Sequence, residues 1–319
     1  MTTPLIAVLG ENLVDLLVSP DGTVNAVIGG GPLNVARTIG RLGAEAYFVS
    51  GVSSDAFGHL VRAALDDSGV HLVVEREFVE PTSLAVVELN PTGPSYHFHL
   101  DATAAFALDA TETIVALREL PDIAALYFGT LGALVEPMAS LGEELVARTA
   151  PQVVVVVDPN CRPSAVRDHE AYRSRIARLA ERADVMKVST EDLTYLHPKL
   201  APLDGAQELL AQGAASVIVT DGADPVHVIS AHGTRRVAVA PVDIVDTVGA
   251  GDALVGGFLT WWTGHGLTRA DVHDLDLLAE AVAAAVDISR LTCQRAGAQP
   301  PDANEVRHRP GWSWLAVNR

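Results

Sequence analysis

Apolar residues along the chain fall into short β-rich runs separated by stretches with helical periodicity. The runs occupy residues 5–9, 46–50, 124–128, 153–157, 185–188 and 217–220, and this alternation predicts a parallel sheet flanked by helices. Residues 153–157 are five consecutive valines bounded by Pro151 and Asp158. Stiff β-branched side chains at every position suit a central strand covered on both faces. Two segments break the rhythm. Residues 13–18 and 24–28 flank the turn residues Asp21 and Gly22, and residues 72–100 alternate apolar and polar positions around Asn90, Pro91, Thr92 and Gly93. With no helices between them, these read as hairpins. They predict a small β lid of residues 12–27 and 72–100, standing on an α/β body of residues 1–11, 28–71 and 101–319.

Composition narrows the partners. The 319 residues suffice for one large core with an appendage, since a chain of this size buries roughly three quarters of its unfolded surface. With 22 Lys and Arg against 40 Asp and Glu, the net charge is −18, which repels nucleic-acid phosphates and anionic lipid headgroups and argues against both as partners. A phosphate-bearing ligand therefore needs local positive potential from backbone amides and helix N-termini as well as side chains. Two cysteines, Cys161 and Cys293, are too few for a disulfide framework. Glu11, Asn12 and Asp15 interrupt the apolar start, and no later apolar run reaches about 18 residues. The expectation is a cytoplasmic protein.

The most informative string is Asp246-Thr247-Val248-Gly249-Ala250-Gly251-Asp252, which leads into the helical pattern Ala253, Leu254, Val255, Gly256, Gly257 and Phe258. Glycines at a helix start let backbone N–H groups pack against an anion. The amides of Gly249, Ala250 and Gly251 are thus candidates to hold the charge on a phosphoryl group in transfer. Asp252, in the first turn, lies where a general base must sit, within reach of the phosphate and an acceptor hydroxyl. An ordinary tight turn with an acidic residue complementing the helix dipole is the plain alternative. Leu254 stands where a dinucleotide-binding fingerprint has its third glycine, which counts against an NAD-dependent oxidoreductase, and no G-x-x-x-x-G-K-[ST] string occurs.

A second cluster, Gly29-Gly30-Gly31-Pro32-Leu33-Asn34, leads into a helical pattern at Val35, Ala36, Ile39 and Leu42. Its glycines permit close ligand approach, Pro32 suits a first helical turn, and Asn34 can both donate to and accept from a hydroxyl. A hinge between hairpin and helix would use the same residues. His97 and His99 share one face of an expected strand, but no third ligand has suitable spacing for a metal. Trp261 and Trp262 read as core or interface.

The two glycine clusters, more than 200 residues apart, make the chain resemble the PfkB, or ribokinase-like, family of carbohydrate kinases. That family has a Gly-Gly signature ending in Asn near the N-terminus and D-T-x-G-A-G-D near the C-terminus. The resemblance runs over essentially the whole chain. It implies a ribokinase-like three-layer α/β/α body with a mainly parallel central sheet plus a small β-sheet lid. It also implies transfer of the γ-phosphoryl group of ATP to a sugar hydroxyl, with Asp252 as general base and the 249–251 amides as anion hole.

The fructokinase branch is the most similar. Gly10-Glu11-Asn12-Leu13-Val14-Asp15 resembles its G-E-x-L-x-D opening, and Asp158-Pro159-Asn160-Cys161-Arg162-Pro163 its D-P-N-x-R-P string. By that resemblance Asp15, Gly30, Gly31, Asn34 and Arg162 hold the sugar, with fructose giving fructose 6-phosphate. Asn160, Lys187, Ser189, Thr220 and Gly222 join Gly249 and Gly251 around ATP. Glu191 and Asp192 fall where the family places its Mg²⁺-linked N-x-x-E, with contact through water, although Ser189 to Asp192 is also a good helix N-terminus. Pro225 replaces the second glycine of a T-x-G-x-x-G string and removes an amide donor. Asp246, in the loop 243–247, is the candidate for a monovalent cation such as K⁺. Paired lids in relatives imply a homodimer. Within the family, 2-keto-3-deoxygluconate and ribose are rival acceptors; from another class, the rival is a non-catalytic sugar-binding protein.

Overall fold

The computed structural model describes residues 4–90, 93–120 and 122–315. Its strands, in chain order, are β1 (Leu5–Leu9), β2 (Leu13–Val18), β3 (Val24–Gly29), β4 (Glu45–Val49), β5 (Val52–Ser53), β6 (Val70–Leu72), β7 (Glu77–Phe78) and β8 (Leu84–Asn90). They continue with β9 (Gly93–His99), β10 (Ile123–Gly129), β11 (Val154–Asp158), β12 (Val185–Ser189), β13 (Ser216–Thr220), β14 (Val226–Ser230) and β15 (Gly233–Val237). The helices are α1 (Gly31–Arg41), α2 (Ala56–Asp67), α3 (Ala110–Arg118), α4 (Met138–Arg148) and α5 (His169–Ala180), then α6 (Thr190–Leu196), α7 (Pro202–Ala211), α8 (Ala250–Gly264), α9 (Leu275–Cys293) and α10 (Ala303–Val306). The six expected body strands recur within one residue at either end.

Among the described residues, nine strands form one sheet in the order β15-β14-β13-β12-β11-β10-β1-β4-β6. The strands from β6 to β13 are parallel, and β14 and β15 add an antiparallel edge. Successive strand side chains point to opposite faces. Val154 and Val156 accordingly join Ile6 and Val8 in a core beneath α1, α8 and α9, whereas Val155 and Val157 join Ala7 and Leu9 beneath α4, α5 and α7. Four consecutive valines, Val154 to Val157, are thus what a strand with two covered faces requires, and Asp158 ends it at the carboxyl edge of the sheet. These are the three layers expected from the sequence. Trp261 and Trp262 lie in the first core.

From β1 the chain crosses through α1 to β4 on one side, while on the other side lies β10, which leads through α4 to β11. The direction of winding reverses between β1 and β10. In open α/β sheets ligands bind outside the carboxyl ends of the strands at such a point.

The lid is a four-stranded sheet, β3-β2-β8-β9. Leu13 faces Gly29 and Val18 faces Val24 across the first hairpin, and β2 joins β8 in parallel. The second arm, expected over residues 72–100, begins later. Leu72 pairs with Phe48 in the body sheet, and Val52–Ser53 takes Glu77–Phe78 as its partner. Pro81, which lacks an amide for ladder pairing, precedes the first lid residue of this arm, Leu84. Pro91 and Thr92 of the expected turn lie outside the described residues. No helix among the described residues is long and apolar enough to cross a membrane.

Candidate active site

The carboxyl ends of the central strands meet the N-terminus of α8. Gly249 caps that helix in the left-handed region (φ 76°), and a Cβ there would lie 2.5 Å from Ala298 Cβ; only glycine satisfies both demands. The first N–H groups of a helix have no intrahelical partner, but Ala250 N–H donates to the Thr247 carbonyl at 3.2 Å. Of the three amides expected from the sequence, that of Ala250 is engaged in its own turn, while Gly249 and Gly251 belong with Asp252 to the helix start whose N–H groups lack intrahelical partners.

Asp252 is buried. Asn34, on α1, donates through Nδ2 to Asp252 Oδ2 at 2.9 Å. The other oxygen, Oδ1, lies 3.3 Å from the position a Cβ would take on Gly31. Thr130 Cγ2 and Asn160 Nδ2 approach that same position, at 2.7 and 3.5 Å. A side chain on Gly31 would therefore collide with the Thr130 methyl, and the second oxygen of Asp252 faces this bare backbone. The Asp15 carboxylate occupies the space a side chain on Gly29 would need. Gly30 (φ 112°) lies over the backbone of Glu11 and Asn12.

Lys187 reaches in from β12. Its Nζ lies 3.2 Å from Asp158 Oδ2 and 2.9 Å from the Cβ position on Gly251, so the ammonium stands against the helix N-terminus. Asn160 adopts φ 38°, a conformation asparagine tolerates. Arg162 Nη1 folds back onto Asn160, donating to its backbone oxygen at 3.0 Å and to Oδ1 at 2.7 Å. Its charge nonetheless acts on Glu11, Asp15 and Asp252.

Burial dominates the electrostatics. It pushes Glu11 up to about 7, against hydrogen bonds from Thr130 and Gly132 and the Arg162 charge. Asp15 rises to about 6 by burial, opposed by Arg162. Asp158 also rises to about 6 by burial despite the Lys187 ammonium. Asp252 is raised by burial, which outweighs the Asn34 hydrogen bond and the Lys187 and Arg162 charges. Burial works against the Lys187 ammonium as well, but Asp158, Asp192 and Asp252 outweigh it and hold its pKa above the usual value. One cation shared among three carboxylates leaves the cluster short of positive charge. A buried carboxyl raised in pKa is what a general base working near neutrality requires.

The remaining expected residues are less central. Ser189 caps α6 in a box with Asp192. Asp192 Oδ1 accepts from Cys161 N–H at 2.6 Å and Oδ2 from Ser189 N–H at 2.8 Å, so both oxygens hold the local fold. Next to it, Glu191 lies on the exposed start of the helix. Thr220 ends β13, and Gly222 follows in an open turn with φ 52°. Asp246 accepts from Val248 N–H at 3.0 Å and Gly297 N–H at 2.8 Å, joining the loop before α8 to the turn after α9. His97 lies 3.7 Å from Glu88 on the lid surface. Among the described residues, no group of three His, Cys, Asp or Glu side chains suits a metal ion. A cleft of about 1050 Å³ runs beside the site, between Leu84 and Phe98 of the lid and Ala165 and Tyr172 of the body. Neither Asp252 nor Asn34 lines it, so chemistry rather than volume locates the reacting centre.

Two contributors went unassigned in the sequence. Thr130 has a left-handed backbone that no pattern announces (φ 54°). Asp158, read there as one residue of a turn string, is the buried partner of Lys187.

A buried carboxyl at a helix N-terminus and a second, small sheet beside the switch point of a parallel sheet fit a small-molecule kinase. The model of the pfkB family carbohydrate kinases matches residues 4–305, and the chain belongs to that family. A fructokinase from Rhizobium leguminosarum bv. trifolii is 30% identical over 319 residues, spanning 96% of this chain and 90% of that protein. The structure of a fructokinase with bound ATP from Xylella fastidiosa superposes with a TM-score of 0.82 at 27% identity, covering 93% of this chain and 94% of that one. Aminoimidazole riboside kinase from Salmonella enterica, complexed with aminoimidazole riboside and an ATP analog, superposes with a TM-score of 0.81 at 28% identity, covering 98% of this chain and 100% of that one.

Proposed function

We propose that this carbohydrate kinase is a fructokinase that transfers the γ-phosphoryl group of ATP to the 6-hydroxyl of fructose. The observation that carries this reading is the division of labour on Asp252: Asn34 fixes Oδ2, while Oδ1 faces the bare backbone of Gly31. A sugar hydroxyl brought to Oδ1 gives it its proton as the hydroxyl oxygen attacks phosphorus. Asp15, Gly30, Gly31 and Asn34 orient the sugar. Lys187 and the first-turn amides of α8 receive the negative charge of the transferring group. Closure of the lid excludes water, which would otherwise take the phosphoryl group.

The shortage of positive charge around Lys187 fits a divalent cation arriving with the nucleotide. Glu191, through water, is the residue we assign to Mg²⁺, because both oxygens of Asp192 are engaged. Bound Mg²⁺ would neutralise phosphate charge. We assign the Asp246 loop to a monovalent cation such as K⁺. The exposed lid residues Val24 and Val27 suit pairing of two lids in a homodimer. The free cysteines Cys161 and Cys293 suit a reducing cytoplasm.

A second acceptor, an aminoimidazole riboside, is favoured by the likeness to the riboside kinase. The acid sugar 2-keto-3-deoxygluconate is not, because its carboxylate needs a cation and Arg162 is folded onto Asn160. An ADP-release screen across fructose, ribose, 2-keto-3-deoxygluconate and aminoimidazole riboside decides. Highest kcat/KM with fructose is expected. Preference for the riboside installs the second reading, and ADP release with none of them leaves a sugar-binding protein.

A further inference from the structure

Glu11 has no part in the chemistry above, yet it is 2% exposed and follows β1 at the point where the sheet reverses its winding. Its carboxylate accepts from Thr130 Oγ1 at 2.5 Å and from Gly132 N–H at 2.9 Å. Thr130 follows β10, the strand beside β1. A β-branched residue at φ 54° is held against its own preference and persists only where its surroundings impose it. Thr130 then directs its methyl at Gly31, 2.7 Å from the Cβ position and next to Asp252 Oδ1. The backbone carbonyl of Glu11 lies 2.7 Å from the Cβ position on Gly30. One residue therefore bears on both glycines beside Asp252, on Gly30 directly and on Gly31 through Thr130.

A role in folding alone would not call for an acid. Keeping a carboxyl buried here costs stability, since burial pushes it up to about 7 against the opposing charge of Arg162. A neutral amide would offer a single acceptor oxygen and no charge.

We propose that Glu11 is a positioning residue for phosphoryl transfer. It holds Thr130 in its left-handed conformation, so that the Thr130 methyl and the Gly30 and Gly31 backbone form the wall that sets an acceptor hydroxyl against Asp252. The inference rests on the kinase reading above and adds to it the device that aligns the acceptor. Misalignment by about 1 Å costs up to about a hundredfold in rate, and a loosened wall admits water as a competing acceptor.

The test uses the full chain with Glu11→Gln and, independently, Thr130→Val, which keeps the bulk and loses the hydroxyl. Sugar phosphate formed, ADP released, KM for ATP and melting temperature are measured together. The expected result for both variants is a kcat about ten- to a hundredfold lower, an unchanged KM for ATP, and more than one ADP released for each sugar phosphate. Neither variant should melt lower by an amount that explains the loss. Wild-type kcat with one ADP per sugar phosphate in either folded variant overturns the proposal, as does a loss that tracks melting temperature alone. If the wild-type chain phosphorylates no acceptor, the kinase reading and this one fall together; if only the variants behave normally, this one falls alone.

Discussion

The central sheet carries buried carboxylates at both ends of its strands, and the two sets are held in opposite ways. At the amino end, Asp184 precedes β12 and is 1% exposed. It accepts from Val155 N–H at 2.8 Å, Arg182 Nη1 at 3.0 Å and Arg269 Nε at 2.7 Å. Every charge there has its partner. At the carboxyl end, the buried Lys187 ammonium acts on Asp158 and Asp252, and the half-buried Arg162 on Glu11 and Asp252. Asn34 Oδ1, Asp158 Oδ1 and the Tyr127 hydroxyl have no hydrogen-bond partner among the described residues. Burial raises those three carboxyls, and Thr130 sits in a strained conformation beside them. The amino end uses its polar groups on one another and stabilises the fold. The carboxyl end keeps them under-satisfied, as expected where a charged ligand completes the site.

That contrast is open to substitution. Asp184→Asn removes one charge from the amino end and leaves two arginines without their carboxylate. We expect a stability loss of about 3 kcal/mol, at the low end for a broken buried pair because Arg269 is partly exposed. Urea unfolding reads this loss, and kcat of the folded variant should stay at the wild-type value. A fall in kcat without a fall in stability would merge the two ends.

Glu11→Gln should act in the opposite sense on stability. Glu11 binds its proton more tightly in the folded chain, so its burial lowers stability as pH rises from 4.5 to about 7, and below 4.5 the penalty is absent. The shift corresponds to roughly 3 kcal/mol, and weaker hydrogen bonds to the amide offset part of it. The variant should unfold at higher urea than wild type at pH 8, with the advantage fading by pH 5. Equal or lower stability at pH 8 would mean that Glu11 resembles Asp184 after all.

The body was largely legible because its signals are local. The valine run at residues 153–157 identifies a two-face strand, and Gly249 with the apolar run that follows it identifies the start of α8. What escaped depends on contacts between distant segments. Residues 72–78 alternate like lid strands, but they pair with the body, and alternation says nothing about which sheet an edge strand joins. The hairpin of β14 and β15 gave no turn signal strong enough to separate it from a loop. Lys187 and Asp158 meet across neighbouring parallel strands at 3.2 Å, a pairing that needs the strand order. Ala250 was expected to offer its amide, and only the backbone trace reveals its bond to Thr247. Ser189 and Asp192 fitted both a helix cap and a ligand role, and the structure displays the cap.

The central claim is that the carboxyl end is built for proton removal by Asp252, and one measurement meets it directly. Steady-state kcat of Asp252→Asn with fructose should be determined beside the calorimetric affinity for ATP and the urea midpoint. The account predicts a kcat about 10² to 10⁴ lower, equivalent to roughly 3–5 kcal/mol of barrier. ATP affinity should be unchanged, and stability equal to or above wild type, since a buried charge has been removed. A kcat within a few-fold of wild type, or a loss that follows stability as in Asp184→Asn, would contradict it.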